Sequence, residues 1–258
     1  GEISAPDIYE IDDTPYPFEI TENDDIVKAE MTNKKKSGSI KVTKTTTGNL
    51  NIEGIKFFAT GISEKKKKTG NLNIEGIKFF ATGISDTNKD LKFEATTNEN
   101  GVAMFDKLVI GKYVITEDGS TVPAAYLTAD EQEVTVEYNE TAEVAFENIE
   151  KTGEIKVTKT TVGNINVSGI TFNLRGTSET QKKTSDSGRD IDIPAVTDEN
   201  GVAIFSEIPI GTYTIYEDEK TVPTAYLVAD PQNVTVTYAE TKEVPIENKE
   251  KTGSITVH

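Results

Sequence analysis

A lysine, a glutamate and an asparagine recur in fixed order along this 258-residue chain: Lys44, Glu117 and Asn148, then Lys159, Glu217 and Asn248. The glutamate precedes the asparagine by 31 residues in both sets, and again at Glu2 and Asn33, whose lysine counterpart would lie upstream of residue 1. Each residue taken singly has a plain structural reading, since lysines at strand ends snorkel, glutamates before loops are solvated and asparagines end in turns. Together they form a reactive set. Burial disfavours charge, so a lysine beside a carboxyl in a dry interior tends toward the neutral amine, which is the nucleophilic form. A neighbouring acid can polarise a carboxamide, carry protons through a tetrahedral intermediate and assist the departure of ammonia. Such a reaction runs once and on the chain itself, so no activity on an external substrate is expected.

Three strands must position these groups. Side chains alternate across a strand, so residues of equal parity share a face. Ile40, Val42 and Lys44 then point one way, as do Ile155, Val157 and Lys159. Tyr113, Ile115 and Glu117 share a face, and Tyr213, Ile215 and Glu217 repeat it. Val144, Phe146 and Asn148 form the third set, matched by Val244, Ile246 and Asn248. Each apolar pair aims a polar end group at the core, where three such groups must satisfy one another. Lys41 and Lys156 lie in the same strands on the opposite face.

Internal repetition sets the frame. Gly38-Ser-Ile-Lys-Val-Thr-Lys44 recurs as Gly153-Glu-Ile-Lys-Val-Thr-Lys159, and its opening recurs as Gly253-Ser-Ile-Thr-Val257. Residues 38–152 and 153–252 are therefore read as two complete modules, joined by short linkers. Residues 1–37 read as the C-terminal part of a preceding module, with Glu2, Pro6, Tyr9 and Asn33 matching Glu117, Pro123, Tyr126 and Asn148. Residues 253–258 read as the first strand of a following one. The first module is the longer because residues 47–63 reappear unchanged at 69–85, a 22-residue internal duplication, partly offset by a longer loop around Gln181–Asp192 in the second module.

Runs such as Ile40–Thr43, Val134–Tyr138, Tyr213–Tyr216 and Val234–Tyr238 are β-branched and aromatic, alternate in polarity and end in Gly, Asn, Asp or Pro. Helical periodicity is absent at useful length. Asn100-Gly101 and Asn200-Gly201 read as tight turns between strands. The expected fold is all-β, a tandem of immunoglobulin-like sandwiches with seven or eight short antiparallel strands each.

Composition removes other chemistries. There is no cysteine, and the one histidine is His258, so disulfides, thiolate metal sites and histidine relays cannot be assembled. No cofactor or metal is expected. A net charge of −17 argues against nucleic acid and anionic lipid as partners. Lys65–Lys68 and Lys34–Lys36 are read as solvated lysines without a function. No apolar run suits membrane insertion, and neither a signal peptide nor a sorting signal is present, as expected of an internal fragment.

With these residues in place, the modules resemble the collagen-adhesin B-type (Cna B-type, SpaA-pilin-like) domains of Gram-positive surface proteins, over essentially the whole chain. The resemblance rests on the first-strand lysine, on Tyr113–Glu117 and Tyr213–Glu217 as Tyr-x-x-x-Glu segments ahead of Pro123, Tyr126, Pro223 and Tyr226, and on the last-strand asparagine. It implies a prealbumin-like sandwich and autocatalytic isopeptide cross-links Lys44–Asn148 and Lys159–Asn248, promoted by Glu117 and Glu217, with Glu2 and Asn33 left in an incomplete module. The links between Glu and Pro, Asp118–Val122 and Asp218–Val222, are longer than the family's usual connection and put strand register in question. The implied role is a stalk or spacer of a secreted bacterial adhesin or pilus at the cell wall, with neighbouring modules of the same parent as partners. The alternative is an adhesin module recognising a host or matrix component, for which the duplicated Gly54–Ile62 and Gly76–Ile84 segment is the best candidate surface.

Overall fold

The computed structural model describes residues 2, 4–20, 26–28, 30–47, 74–165, 167–178 and 191–256. The Lys65–Lys68 run, the first copy of the duplicated unit beyond Thr47, most of the Gln181–Asp192 loop, Val257 and His258 lie outside them. The described residues fall into two compact units. The first holds residues up to Thr45 with Ile74–Thr121 and Thr128–Glu147; the second holds Thr46, Thr47, Val122–Leu127 and the chain from Asn148 onward.

Fourteen strands form among the described residues. The first seven are β1 (Ser37–Thr46), β2 (Lys78–Gly83), β3 (Lys92–Thr96), β4 (Val102–Val109), β5 (Gly111–Glu117), β6 (Gln132–Val136) and β7 (Thr141–Asn148). The next seven repeat the set: β8 (Thr152–Thr161), β9 (Thr171–Ser178), β10 (Ile191–Val196), β11 (Val202–Pro209), β12 (Gly211–Glu217), β13 (Gln232–Val236) and β14 (Thr241–Asn248). Each set makes a three-stranded and a four-stranded sheet, ordered β4-β1-β7 with β3-β2-β5-β6, and β11-β8-β14 with β10-β9-β12-β13.

The alternation expected along β1 is complete: Ile40, Val42 and Lys44 are buried, and Lys41 lies on the outer face in an ion pair with Glu143 at 2.9 Å. In β8, Ile155, Val157 and Lys159 are buried, and Lys156 pairs with Glu243 at 3.1 Å. Phe79 of β2 packs on Phe146 of β7 with ring centroids 5.0 Å apart, joining the two sheets of the first set. In the second set Val157, Phe172, Phe205, Tyr213 and Ile246 share one core. Each such side chain contributes about 1.5–3 kcal/mol by leaving water, which holds thin sandwiches together without a large interior.

Four particulars differ from, or refine, the sequence reading. Most strand pairs are antiparallel, but β14 runs parallel to β8, with Val244 opposite Val157 and Ile246 opposite Lys159. A parallel pair needs a long crossover, and here the rest of the module supplies it. Strands β6 and β13 stop at Val136 and Val236, short of Tyr138 and Tyr238, because Asn139 and Ala239 adopt positive φ in the turns that follow. The second copy of the duplicated unit provides β2, where Phe79 and Ala81 are fully buried in the core and Phe80 lies half-buried on the opposite face. The long links after the glutamates leave register intact: Glu117 stays opposite Phe79 and Glu217 opposite Phe172. Each link folds into a turn in which Thr121 N–H donates to Asp118 O, and Thr221 N–H to Asp218 O.

Lys251–Thr256 carry no strand, and Ile255 is exposed; a lone strand has no ladder to join. Before Ser37 no strand forms among the described residues, and Tyr9 and Lys35 make an isolated bridge.

Candidate cross-linking site

The second set shows the site in full. Lys159, buried on β8, is held by its backbone: its N–H donates to Gly201 O at 2.7 Å. Gly201 has φ of +76°, and a Cβ there would sit 2.6 Å from Lys159 O, so the Asn200-Gly201 turn fits only a glycine this close to the strand. The turn is fastened by Asp198 Oδ1, which accepts from Asn200 N–H at 2.9 Å and Val202 N–H at 2.8 Å. Lys159 Nζ donates to Thr160 O at 2.7 Å and lies 3.9 Å from Glu217 Oε1, both side chains being essentially sealed from solvent.

Glu217 ends β12 on the facing sheet. Its Oε2 accepts the Ala229 backbone N–H at 2.8 Å and the Asn248 Nδ2–H at 2.7 Å, while Oε1 accepts no hydrogen bond among the described residues. Asn248, the last residue of β14, also donates Nδ2–H to Leu227 O, which fixes the plane of its amide. A carboxylate thus stands between a buried amine and a buried carboxamide.

The first set repeats the parts. Lys44 N–H donates to Gly101 O at 2.7 Å, and a Cβ on Gly101, whose φ is +72°, would meet Lys44 O at 2.5 Å. Asn98 Oδ1 fastens this turn through Asn100 N–H and Val102 N–H. Lys44 Nζ lies 3.8 Å from Glu117 Oε1 with both side chains fully buried, and Glu117 Oε2 accepts Ala129 N–H at 2.9 Å. Asn148 is buried at the end of β7.

Burial pushes the Lys44 ammonium down to about 8; the charges of Glu117 and Glu147 act the other way and do not offset it. Lys159 moves in the same direction for the same reason, opposed by Glu217 and Glu247. An ammonium that loses its hydration shell without full compensation is destabilised relative to the amine.

The N-terminal residues hold a partial copy. Asn33 Nδ2–H donates to Glu2 Oε1 at 2.8 Å and to Oε2 at 3.0 Å, and Asp12 N–H donates to Glu2 Oε2 at 3.1 Å.

The structure brings glutamate and asparagine into contact at Glu217–Asn248 and Glu2–Asn33, and buries both Glu117 and Asn148. The sequence reading missed the glycine clasps on the lysine backbones and the alanine N–H groups on the carboxylates. The Asn-Gly turns were a usable signal for the first; a backbone N–H leaves no signature in residue type for the second.

Comparison with known proteins bears on the fold. No curated protein matches the sequence. Among solved structures, the TIE protein of Bacillus anthracis aligns with a TM-score of 0.58 and 23% identity, over 84% of this chain and 35% of its own, so this chain spans about a third of that protein's length. GBS52, the minor pilin of Streptococcus agalactiae, aligns at 20% identity over 86% of this chain and all of its own, with a TM-score of 0.36. The shaft pilin SpaA of Lactobacillus rhamnosus GG aligns at 16% identity over 85% of this chain and all of its own, with a TM-score of 0.31. The SpaA prealbumin-like fold domain matches twice, at residues 38–150 and 153–250, in step with the two strand sets, and the chain belongs to that family.

Proposed function

We propose that this chain is a run of load-bearing spacer modules from a bacterial surface adhesin or pilus, each locked by an isopeptide bond: Lys159 Nζ to Asn248 Cγ, and Lys44 Nζ to Asn148 Cγ. The observation that carries the reading is the place of Glu217, with one oxygen toward the Lys159 amine and the other on the Asn248 amide nitrogen, in a site sealed from water.

The reaction follows from that placement. The Lys159 ammonium passes a proton to Glu217 Oε1, and the amine attacks Asn248 Cγ. The carboxyl returns the proton to the Asn248 nitrogen, which leaves as ammonia while the attacking nitrogen loses its own proton to the carboxylate. One C–N bond forms, one breaks, and no oxidant or metal takes part. Glu117 does the same between Lys44 and Asn148. Water, the competing nucleophile and the quencher of these electrostatics, is kept out by the core around both sites.

The mechanical argument rests on strand order. The first and last strands of the second set lie side by side, Ile246 opposite Lys159, so a bond there carries tension from β8 into β14 without loading the rest of the sandwich. The closed loops run to about 90 and 105 residues, for which cross-linking stabilises by roughly 4 kcal/mol or more through the unfolded state. Such modules suit a stalk at the cell wall, with neighbouring modules of the same parent as partners.

Intact-mass measurement tests the reading. The chain should weigh about 34 Da less than its sequence mass, one ammonia per bond. Peptide mapping should recover Lys44 joined to Asn148 and Lys159 joined to Asn248. An unshifted mass in the folded protein overturns the proposal.

A further inference from the structure

The two modules finish the edges of their sheets differently. An edge strand offers backbone N–H and C=O groups to another strand unless a proline, a bulge or a cover blocks it. In the second module the edge strands β10 and β14 carry Pro194 and Pro245. Edge strands β4 and β11 are each interrupted by a register shift, with Lys107 and Glu207 at positive φ. In the first module Glu94 stands where Pro194 stands, since Phe80 faces Glu94 as Asn173 faces Pro194, one place beyond the matching Phe79 and Phe172. Ala145 takes the place of Pro245, and its carbonyl is covered by Gln132 Nε2–H at 2.6 Å. Edge strand β3 has neither proline nor bulge, and no described strand pairs with its outer side.

Gly83 N–H donates to Leu91 O and Thr97 N–H to Ile77 O, which puts the bonds between β3 and β2 on the odd-numbered residues. Lys92, Glu94 and Thr96 therefore turn their backbone N–H and C=O groups away from β2. Their side chains are exposed on the outer face, Glu94 in an ion pair with Lys78 at 3.5 Å. Leu91, Phe93 and Ala95 lie on the inner face and are only half-buried, Phe93 meeting Tyr113 edge-on with ring centroids 6.3 Å apart.

The order of these residues makes the edge complementary to itself. Laid antiparallel on a second copy with Phe93 opposite Phe93, Lys92 faces Glu94 of the copy and Glu94 faces Lys92. Leu91 faces Ala95, and Ala95 faces Leu91. Opposite charges then pair on the outer face and apolar side chains on the inner one. Lys92 and Glu94 are also the residues with outward backbone groups, so each charged pair can exchange two N–H···O bonds. Centring the pair on Glu94 instead would set like charges together.

We propose that β3 is a lateral docking edge at which two copies of this chain join their first modules, β3 antiparallel to β3, merging their four-stranded sheets. The second module stays single, because Pro194 has no N–H to give and its ring fills the approach. Stalks anchored side by side meet at high effective concentration, so a contact of the weak class, below about 1,200 Å², is enough to align them. None of Lys44, Glu117 and Asn148 lies on β3, so the inference goes beyond the isopeptide reading and does not depend on it.

Sedimentation velocity of the full chain tests the pairing, at about 0.15 M salt so that repulsion between two chains of net charge −17 is screened beyond about 8 Å. A monomer–dimer equilibrium should appear with a dissociation constant between about 1 µM and 1 mM. Glu94→Pro copies the second module at this place and removes an N–H that bonds nothing in β2. It should leave the module folded and raise the dissociation constant about tenfold or more. Lys92→Glu and Glu94→Lys should each weaken self-association about tenfold, since both charged pairs become like-signed, and an equimolar mixture of the two variants should restore the dimer. Residue-resolved amide exchange should slow at Lys92 and Glu94 on dimerisation and change little at Phe93 and Ala95, which already bond to β2. A chain that stays monomeric up to about 1 mM overturns the inference. So does a dimer that Glu94→Pro leaves intact, which would sit on another edge such as β6, or a mixture of the charge variants no tighter than either alone. If Glu94→Pro unfolds the module, the charge variants decide. Intact mass reports on the cross-links alone, so failure of either reading is seen separately.

Discussion

Asn248 donates its amide N–H to Glu217 Oε2 at 2.7 Å, across 31 residues of sequence and from the opposite sheet of the sandwich. The contact leaves Oε1 for the lysine, so one carboxyl group has one oxygen for taking a proton and one beside the nitrogen that must depart. Two strands on one sheet and one on the other converge on a single acid.

This division of labour predicts that shape without acidity fails. Glu217→Gln keeps the size and hydrogen-bonding reach of the side chain but cannot relay a proton, so bond formation in the second module should slow by about 100-fold or more, as with Glu217→Ala. Intact mass after purification should show a loss of about 17 Da in place of about 34, relative to each variant's own sequence mass. A full 34 Da loss in Glu217→Gln would remove the proton relay from the mechanism.

The two lysines of each first strand separate chemistry from charge. Lys41 and Lys156 sit on the outer face in ion pairs with Glu143 and Glu243, so alanine there should cost under about 1 kcal/mol and leave both bonds in place. Lys44→Ala or Lys159→Ala should each delete one bond. Tandem mass spectrometry of the four variants checks the assignment.

Loss of one bond should weaken one module. Glu117→Ala reopens a loop of about 105 residues, at a cost of roughly 4 kcal/mol or more, and should lower the melting temperature of that module by about 15 °C or more. Differential scanning calorimetry should split into two transitions, the upper one unchanged, and limited proteolysis should cut first within the residues of β1–β7.

The glycine clasps make a separate prediction. Gly101→Ala places a Cβ 2.5 Å from Lys44 O at a φ of +72°, which costs about 1–2 kcal/mol in backbone strain before the strand moves away. The expected result is a less stable first module and a slower gain of its bond, read as a mass time course during refolding. Unchanged kinetics would mean that the turn does not position the lysine.

Lysine burial has a pH signature when the bond cannot form. In Asn148→Ala, Lys44 stays unreacted, and its folded value of about 8 lies below the ordinary 10.5. Between these values the unfolded chain holds a proton that the folded chain has released, so stability should rise with pH through that window, the burial penalty being fully present below about pH 8. Burial raises Tyr113 above its ordinary 10.0 and works in the opposite sense at higher pH, so urea midpoints are best compared between about pH 8 and 9.5. The rise should vanish in Asn148→Ala/Lys44→Met.

What residue order determined by itself is local and periodic. A strand alternates its side chains whatever it pairs with, so Ile40, Val42 and Lys44 had to share a face, as did Tyr113, Ile115 and Glu117, and the repeats fixed which residues play equivalent parts. The three glutamate–asparagine sets were legible for the same reason. Tertiary structure decided what depends on closing long loops. It laid β14 parallel to β8, set Phe79 of β2 opposite Glu117, brought the Gly101 and Gly201 carbonyls to the lysine N–H groups, and aimed the Ala129 and Ala229 N–H groups at the carboxylates. Every backbone N–H is chemically alike, so only the packed partner across the sandwich distinguishes one from another.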